Sequence, residues 1–287
     1  MKHLAEHQKG ILFVAFAALL WSSGGLLIKL VTFDAMQISF FRCAFASLTF
    51  FAVFRTQIFK ANVFTIINSL FYASVLILYV LAMKATTAAN AIFLQSTAPI
   101  YVLIFEPLLI KTKYEKINII SVAAVFMGMI LFFTGKISPE HFEGNIFALL
   151  SGVFFAALFL GLKKNKPEYQ FSSIFYGNVI VALVCIPFLS GITNVNFSNL
   201  WMVAFLGIFQ IGIAYIFFSR GLKRVNAIEA SLISLIEPVL NPVWVFFGYG
   251  EVPSITAIIG GMIIISAISI RTFIMKSPTM KARLKRD

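Results

Sequence analysis

Ten apolar segments run along the chain and are separated by short polar connections. Each is near the length of about 20 residues that an α-helix needs to cross a bilayer. The connections leave no room for a soluble domain. This pattern predicts an all-α integral membrane protein with ten transmembrane helices. The segments lie at 11–30, 35–54, 62–82, 87–109, 117–134, 145–162, 171–190, 200–219, 226–247 and 255–271.

The positions of lysine and arginine predict which helix ends face the cytoplasm. If the amino terminus is cytoplasmic, 19 of the 23 basic residues lie on that side, and Lys29, Lys84 and Lys136 lie opposite. Basic residues concentrate in cytoplasmic connections, so this bias predicts an even number of spans with both termini cytoplasmic. The basic tail, 276–287, is predicted to lie near the anionic headgroups of the cytoplasmic face.

The fourth and ninth segments carry the same pattern. Residues 82–99 match residues 221–238 at an offset of 139, with lysine, alanine and proline at equal spacing. Five spans per half is an odd number, so the second half enters the membrane from the opposite side. This predicts two inverted five-helix repeats, 1–140 and 141–275. Proline at matching places marks bent helices, the best sequence-level pointer to a transporter's binding site.

Composition agrees with a membrane protein and excludes several functions. The chain is 60% hydrophobic and 12% charged, half the charge of a typical soluble domain. Its net charge of +12 is attributed to loops near anionic lipid rather than to nucleic-acid binding. The three histidines are placed in a terminus or a loop, so no metal site is expected. No nucleotide-binding loop or nucleophile elbow occurs, so we predict no catalytic residues and no cofactor.

Three stretches resemble the EamA family of the drug/metabolite transporter superfamily. They are Leu-Trp-Ser-Ser-Gly-Gly-Leu-Leu-Ile-Lys at 20–29, Ile-Ser-Phe-Phe-Arg at 38–42, and Leu-Ile-Glu-Pro-Val-Leu-Asn-Pro-Val-Trp at 235–244, followed by Gly-Glu-Val-Pro-Ser at 250–254. The resemblance implies a ten-helix carrier with a central cavity between its halves, moving small organic metabolites, often amino acids and often outward. The first half has Ala98 where the second has Glu237, so an asymmetric site is expected.

Charged residues inside the apolar segments are the first candidates for solute binding. Arg42 can bind both oxygens of a carboxylate; alternatively it reaches the headgroups or a helix carbonyl. Glu229 and Glu237 are eight residues apart and share a helix face. Either can bind an ammonium group or exchange a proton. The alternatives are that Glu229 stabilises a helix amino terminus and that Glu237 bonds to backbone freed by Pro238.

Polar and aromatic residues near the two proline breaks complete the candidate site. Gln95 lies one turn before Pro99, and Asn90 is the repeat partner of Glu229. The tyrosines and Trp21 can stack on a solute, or else pack between helices and line the membrane interface. The predicted substrate-binding residues are Trp21, Arg42, Tyr72, Tyr79, Asn90, Gln95, Tyr176, Tyr215, Glu229 and Glu237.

Other charged residues are given structural roles. Glu106 is close to Lys111 at a helix exit and is interpreted as a solvated interfacial charge. Lys29 and Lys84 at the outer rim and Lys223 at the inner rim are interpreted as anchors of helix ends in the headgroups.

The prediction for function is a secondary transporter in the cytoplasmic (inner) membrane. It exports amino-acid-type zwitterions or carboxylates by alternating access, as a monomer or homodimer. One alternative is an uptake carrier or exchanger for a larger anionic, nucleotide-like metabolite. An alternative of another class is a membrane-embedded enzyme or a scramblase.

Overall fold

The computed structural model describes residues 2–134, 141–192, 195–249 and 254–276, and their regular structure is helical with no strand among them. Lys136, most of the motif at 250–254 and the tail at 277–287 lie outside these residues. The α-helices are α1 (Lys2–Trp21), α2 (Gly24–Leu30), α3 (Ala35–Phe54), α4 (Val63–Ala85), α5 (Ala88–Gln95), α6 (Ala98–Ile110), α7 (Lys116–Phe132), α8 (Phe142–Lys164), α9 (Gln170–Cys185), α10 (Phe197–Phe205), α11 (Ala214–Leu222), α12 (Ala227–Ser234), α13 (Ile236–Tyr249) and α14 (Ile255–Lys276).

Most of these helices join into membrane-spanning units. Among the described residues, 8 helical stretches are long and apolar enough to cross a bilayer, and the shorter apolar helix α7 has 17 residues. Helices α10 and α11 are joined by a π-helical segment, Leu206–Ile213. Short 3₁₀ turns, such as Arg55–Phe59, follow several helix ends. The all-helical, multi-pass character that the hydrophobic pattern predicts is confirmed.

The fourth and ninth segments are both broken helices. Helix α5 ends at Gln95 and α6 begins at Ala98, while α12 ends at Ser234 and α13 begins at Ile236. Proline lies early in each second helix, where its fixed φ suits the first turn and its missing N–H costs no hydrogen bond. In the first break, the Thr97 hydroxyl donates to the Leu94 carbonyl at 2.7 Å. The interruptions therefore fall where the two prolines predict them.

The two halves pack against each other along most of their length. Helix α4 contacts α8 and α9, and the unit from α10 to α11 contacts α1 and α3. Helices α5 and α6 pack on α8, α12 and α13 pack on α1, and α7 pairs with α14. The broken helices therefore lie between the halves, which places both breaks next to the interior of the bundle.

Glycine allows a close contact between helices α7 and α14. A Cβ atom at Gly260 would lie 2.5 Å from the Gly128 carbonyl oxygen and 2.5 Å from the Phe132 nitrogen. Both neighbours are backbone atoms, which cannot rotate away. Small residues at such crossings let two membrane helices approach closely. Gly261 is different, because its nearest neighbour is a side-chain carbon of Val239 at 3.3 Å.

Gly260→Ala is expected to destabilise the protein by about 1–3 kcal/mol, because its methyl group would force α14 away from α7. Gly261→Ala adds the same methyl group one residue later and is the matched control. Thermal melting in detergent should show a lower midpoint for Gly260→Ala and little change for Gly261→Ala. Equal midpoints for the two variants would contradict this packing.

Candidate functional site

A small polar cavity lies inside the bundle, where the broken helices meet the other spans. Its volume is about 30 Å³, room for only one or two water molecules. The lining combines one cation, one carboxylate, two amides and an aromatic wall. Residues from both halves contribute. The lining residues are Trp21, Arg42, Val75, Leu76, Tyr79, Gln95, Phe155, Gln210, Ile211, Tyr215 and Glu237.

Arg42 brings a positive charge into this cavity. Asp34 caps the amino terminus of α3 by accepting from the backbone nitrogens of Met36 and Gln37, and Arg42 follows two turns later. Its side chain is only 2% exposed. Its Nη2 donates to Gln210 Oε1 at 2.9 Å, and its Nε has no hydrogen-bond partner among the described residues. The guanidinium therefore points inward rather than to the headgroups.

Glu237 brings a carboxylate to the same cavity. It lies in the first turn of α13, directly before Pro238. Its carboxylate accepts no hydrogen bond within the described ranges, including from the backbone that the proline leaves unpaired. No nitrogen of Arg42 lies within the 4.0 Å of a carboxylate oxygen that defines an ion pair in the described part of the chain. A guanidinium and a carboxyl group thus face one cavity without a direct hydrogen bond or close ion pair between them in the described residues.

Aromatic residues form one wall and leave unused polar atoms. Tyr215 packs on Trp21 with ring centroids 4.9 Å apart and on Tyr72 with centroids 4.8 Å apart. Tyr72 is tied to Asn178, whose Nδ2 donates to its hydroxyl at 3.1 Å. The Trp21 Nε1 and the Tyr79 hydroxyl are buried without a partner among the described residues. Buried polar groups usually have a hydrogen-bond partner, so these two are suited to contact a bound solute.

The structure brings together six of the ten predicted residues in the cavity lining. Trp21, Arg42, Tyr79, Gln95, Tyr215 and Glu237 line the cavity, and Tyr72 lies behind them. Asn90, Tyr176 and Glu229 lie elsewhere: Asn90 bonds to Asn145, the Tyr176 hydroxyl donates to the Phe59 carbonyl at 3.0 Å, and Glu229 bonds to His7. Gln210 was not among the predicted residues. Its sequence signal is a lone glutamine in the eighth apolar segment between two glycines.

Glu229 belongs to a buried ionic network at one end of the bundle. Its Oε2 lies 2.8 Å from His7 Nε2, and its Oε1 lies 3.3 Å from Arg271 Nη1. Arg271 Nε also donates to Asn118 Oδ1 at 2.9 Å. The network joins α1, α12, α14 and α7. We call this end the basic end. His7, which the sequence analysis places in the amino-terminal segment, lies in the first turns of α1.

Glu106 is not the solvated interfacial charge that the sequence analysis predicts, so this prediction is wrong. It is 4% exposed and accepts from the backbone nitrogens of Ala227 at 2.9 Å and Ile228 at 3.1 Å. The first N–H groups of a helix have no partner within it, and the helix dipole favours an anion there. Glu106, from the first half, therefore satisfies the start of α12 in the second half. Glu106 and Ala227 are 121 positions apart in the sequence, so the sequence alone does not reveal this contact.

A second network closes the opposite end of the bundle. Lys29 Nζ donates to the Thr86 carbonyl at 2.9 Å, and Lys84 Nζ donates to the Val31 carbonyl at 2.8 Å. Asn90 Nδ2 donates to Asn145 Oδ1 at 2.8 Å. Both lysines thus join helix ends through carbonyl oxygens, and their anchoring in the headgroups stays a prediction. These three side-chain hydrogen bonds involve no carboxylate, unlike those of the basic end.

Lys223, predicted as an anchor at the inner rim, contacts an aromatic ring. Its Nζ lies 4.6 Å from the centre of the Phe171 ring, a cation–π arrangement.

Known proteins similar to the chain are transporters. The sequence model of the EamA-like transporter family matches residues 8–134 and again 142–273. A protein described as an uncharacterized transporter of Archaeoglobus fulgidus is 24% identical over 259 residues, covering 90% of this chain and 94% of its own. The pseudopaline exporter CntI of Pseudomonas aeruginosa is 21% identical over 269 residues, covering 91% and 94%.

Two further similarities extend this comparison. The human solute carrier family 35 member G1 is 23% identical over 283 residues, covering 90% of this chain and 77% of its own. A solved crystal structure superposes with a TM-score of 0.77 at 19% identity, covering 93% of this chain and 98% of its own. At this identity, the superposition shows a shared fold and no more.

Glu229→Gln is expected to destabilise the protein by about 3–5 kcal/mol, because it leaves the buried Arg271 cation without its anion. Removing both charges in Glu229→Gln/Arg271→Gln should restore much of the loss. Glu6→Gln is the control, since Glu6 pairs with Lys9 and Arg224 at the surface, where ion pairs contribute little. Thermal melting measures all three. A Glu229→Gln midpoint equal to wild type would exclude this role.

Proposed function

The chain belongs to the EamA-like transporter family, and from this premise we propose that it exports small zwitterionic or carboxylate-bearing metabolites, such as amino acids, by alternating access. We place it in the cytoplasmic membrane with the basic end facing the cytoplasm. The observation that carries the proposal is that Arg42 and Glu237 line one cavity as unpaired opposite charges.

A zwitterion would supply both missing partners. Its carboxylate would accept hydrogen bonds from Arg42, which has an unused Nε, and its ammonium group would face Glu237. A buried charge without a partner is costly, and a bound solute of opposite charge offsets that cost. The Trp21 indole and the Tyr79 hydroxyl would add neutral hydrogen bonds. The same features disfavour a nucleotide-like polyanion, because the single guanidinium shares its cavity with a carboxylate.

The direction of transport draws support from one relative. The pseudopaline exporter CntI covers 91% of this chain, and its name describes movement outward. Its substrate is not carried over, because 21% identity preserves a fold more readily than a binding preference.

The packing supports a division into two inverted repeats at 1–140 and 141–275. Exchanging each segment with the one five places later maps the contacts onto themselves: α4 with α8 becomes the eighth segment with α1, and α4 with α9 becomes the eighth segment with α3. Helices α5 and α6 on α8 likewise become α12 and α13 on α1. The family model also matches once in each half. We propose ten spans on this basis, and the distribution of basic residues supports a cytoplasmic location of both termini.

The two end networks supply the gates that alternating access needs. In this conformation both are formed and the cavity is about 30 Å³, room for only one or two water molecules. Opening toward the cytoplasm would separate α1 from α12, which breaks the contact of His7 with Glu229. Opening outward would separate α5 from α8, which breaks the contact of Asn90 with Asn145. We therefore interpret the structure as an occluded state.

Reconstitution in liposomes tests this proposal. We expect wild-type protein to exchange at least one labelled amino acid, with or without a pH gradient, and Arg42→Ala to weaken binding of that solute about tenfold to a hundredfold, the loss of one or two charged hydrogen bonds. Arg42→Lys should recover part of the loss. Arg220→Ala removes an exposed arginine outside the cavity and should bind like wild type.

Glu237→Gln separates the two charges in the same assay. It should weaken the binding of amino acids and amines and affect the binding of simple carboxylates far less, because only the partner of the ammonium group is lost. A thermal-shift screen of metabolites identifies the solutes to label. If no amino acid, amine or organic acid is moved by the wild-type protein, the proposed function is wrong.

A further inference from the structure

The eighth segment has an unusual backbone at the point where it meets Arg42. Between α10 and α11 the helix takes the π form over Leu206–Ile213. Stretches of π-helix are rare and often lie at functional sites. Eight residues is long for such a stretch, so a specific packing requirement is expected to maintain it.

Two glycines of this π segment explain why it persists. A Cβ atom at Gly207 would lie 2.6 Å from the Arg42 carbonyl oxygen, and one at Gly212 would lie 2.9 Å from Thr49 Cβ. Both glycines thus face α3. Residues five apart in an α-helix point about 140° away from each other. In a π-helix, which has i→i+5 hydrogen bonds, they lie about one turn apart on the same face. The π form is therefore what lets both glycines contact α3 at once.

The π-helical segment places the Gln210 side chain next to the Arg42 guanidinium. Its Oε1 accepts from Arg42 Nη2 at 2.9 Å, and its Nε2 lies 3.5 Å from the Trp21 carbonyl oxygen. Room for the amide comes from Gly24, where a Cβ atom would lie 2.5 Å from Gln210 Nε2. Gln210 is thus held between α1 and α3 with its carbonyl oxygen turned toward the arginine.

The residue type at 210 decides what charge the cavity presents. An amide holds the guanidinium in place and leaves its positive charge intact. A carboxylate there would form a charge-assisted pair with Arg42 and satisfy it from within the protein. Glu237, which faces the same cavity, makes no ion pair in the described part of the chain, so the guanidinium charge is available to a solute.

We infer that Gln210, presented by the π-helical segment, is a specificity-determining residue that keeps Arg42 oriented and uncompensated, so that the cavity selects solutes bearing a carboxylate. The inference rests on the proposed function and deepens it, since it assigns the choice between an amino acid and the corresponding amine to one neutral side chain. Gln210 acts through Arg42 and is a positioning residue.

Three matched pairs of probes measure this choice. The pairs are L-leucine with isoamylamine, L-phenylalanine with 2-phenylethylamine, and L-lysine with cadaverine, and the members of each pair differ only by the carboxylate. Binding is measured by thermal shift on the full chain, and the readout is the ratio of acid to amine affinity. A merely structural role of Gln210 would lower both affinities and leave this ratio unchanged.

Wild type is expected to favour the acid of at least one pair by about tenfold or more, the contribution of a charge-assisted hydrogen bond. Gln210→Glu should abolish or reverse that ratio. Gln210→Met, similar in size but neutral, removes the hydrogen bond that orients Arg42 without adding a charge, and it should reduce the ratio only in part. Gln95→Glu is the comparison variant: it adds the same charge to the same cavity at a residue that bonds to Ser151 instead of Arg42, and it should lower the preference less than Gln210→Glu does.

Two results would overturn the inference alone. They are a Gln210→Glu protein that retains the wild-type ratio, and a Gln95→Glu protein that loses it to the same extent. A wild-type protein that binds none of the six probes, or binds each amine as tightly as its acid, would instead contradict the proposed function together with the inference.

Discussion

The cost of keeping a charge inside an apolar helix bundle governs most of this structure. The chain places several ionisable groups deep among its helices, and almost every one has a specific partner. Glu229 has His7 and Arg271, Arg271 also has Asn118, and Glu106 has the first backbone nitrogens of α12. Because each pair joins different helices, the same bonds that satisfy these charges also fix how the spans are arranged.

The central cavity departs from this rule. Arg42 is held only by the neutral Gln210, and Glu237 has no bonding partner among the described residues. The other buried charges described above have partners within the protein. Arg42 and Glu237 instead face a common space, where a bound solute can supply their partners. In our account, Arg42 and Glu237 form their charge-pairing contacts with the solute instead of with other residues of the protein.

The parts of the structure that sequence could predict are those controlled locally. Hydrophobic length predicted the spans, proline predicted the breaks between α5 and α6 and between α12 and α13, and a charge inside an apolar segment marked Arg42. The contacts of Glu106, His7 and Gln210 were not predictable in this way. Each contact joins residues more than a hundred positions apart, so it depends on which helices become neighbours. From the local sequence alone, Glu106 is more simply assigned to a helix exit and His7 to the amino-terminal segment.

Access to the cavity from both faces of the membrane tests the central claim most directly. Tyr79→Cys places one thiol in the lining, while the native Cys43 and Cys185 are buried. Oriented vesicles are treated with a membrane-impermeant thiol reagent from either side, with the unmodified chain as background. Alternating access predicts that the new thiol reacts from both sides and that a transported solute slows both reactions. A thiol that reacts from one side only, or from neither, would contradict the account.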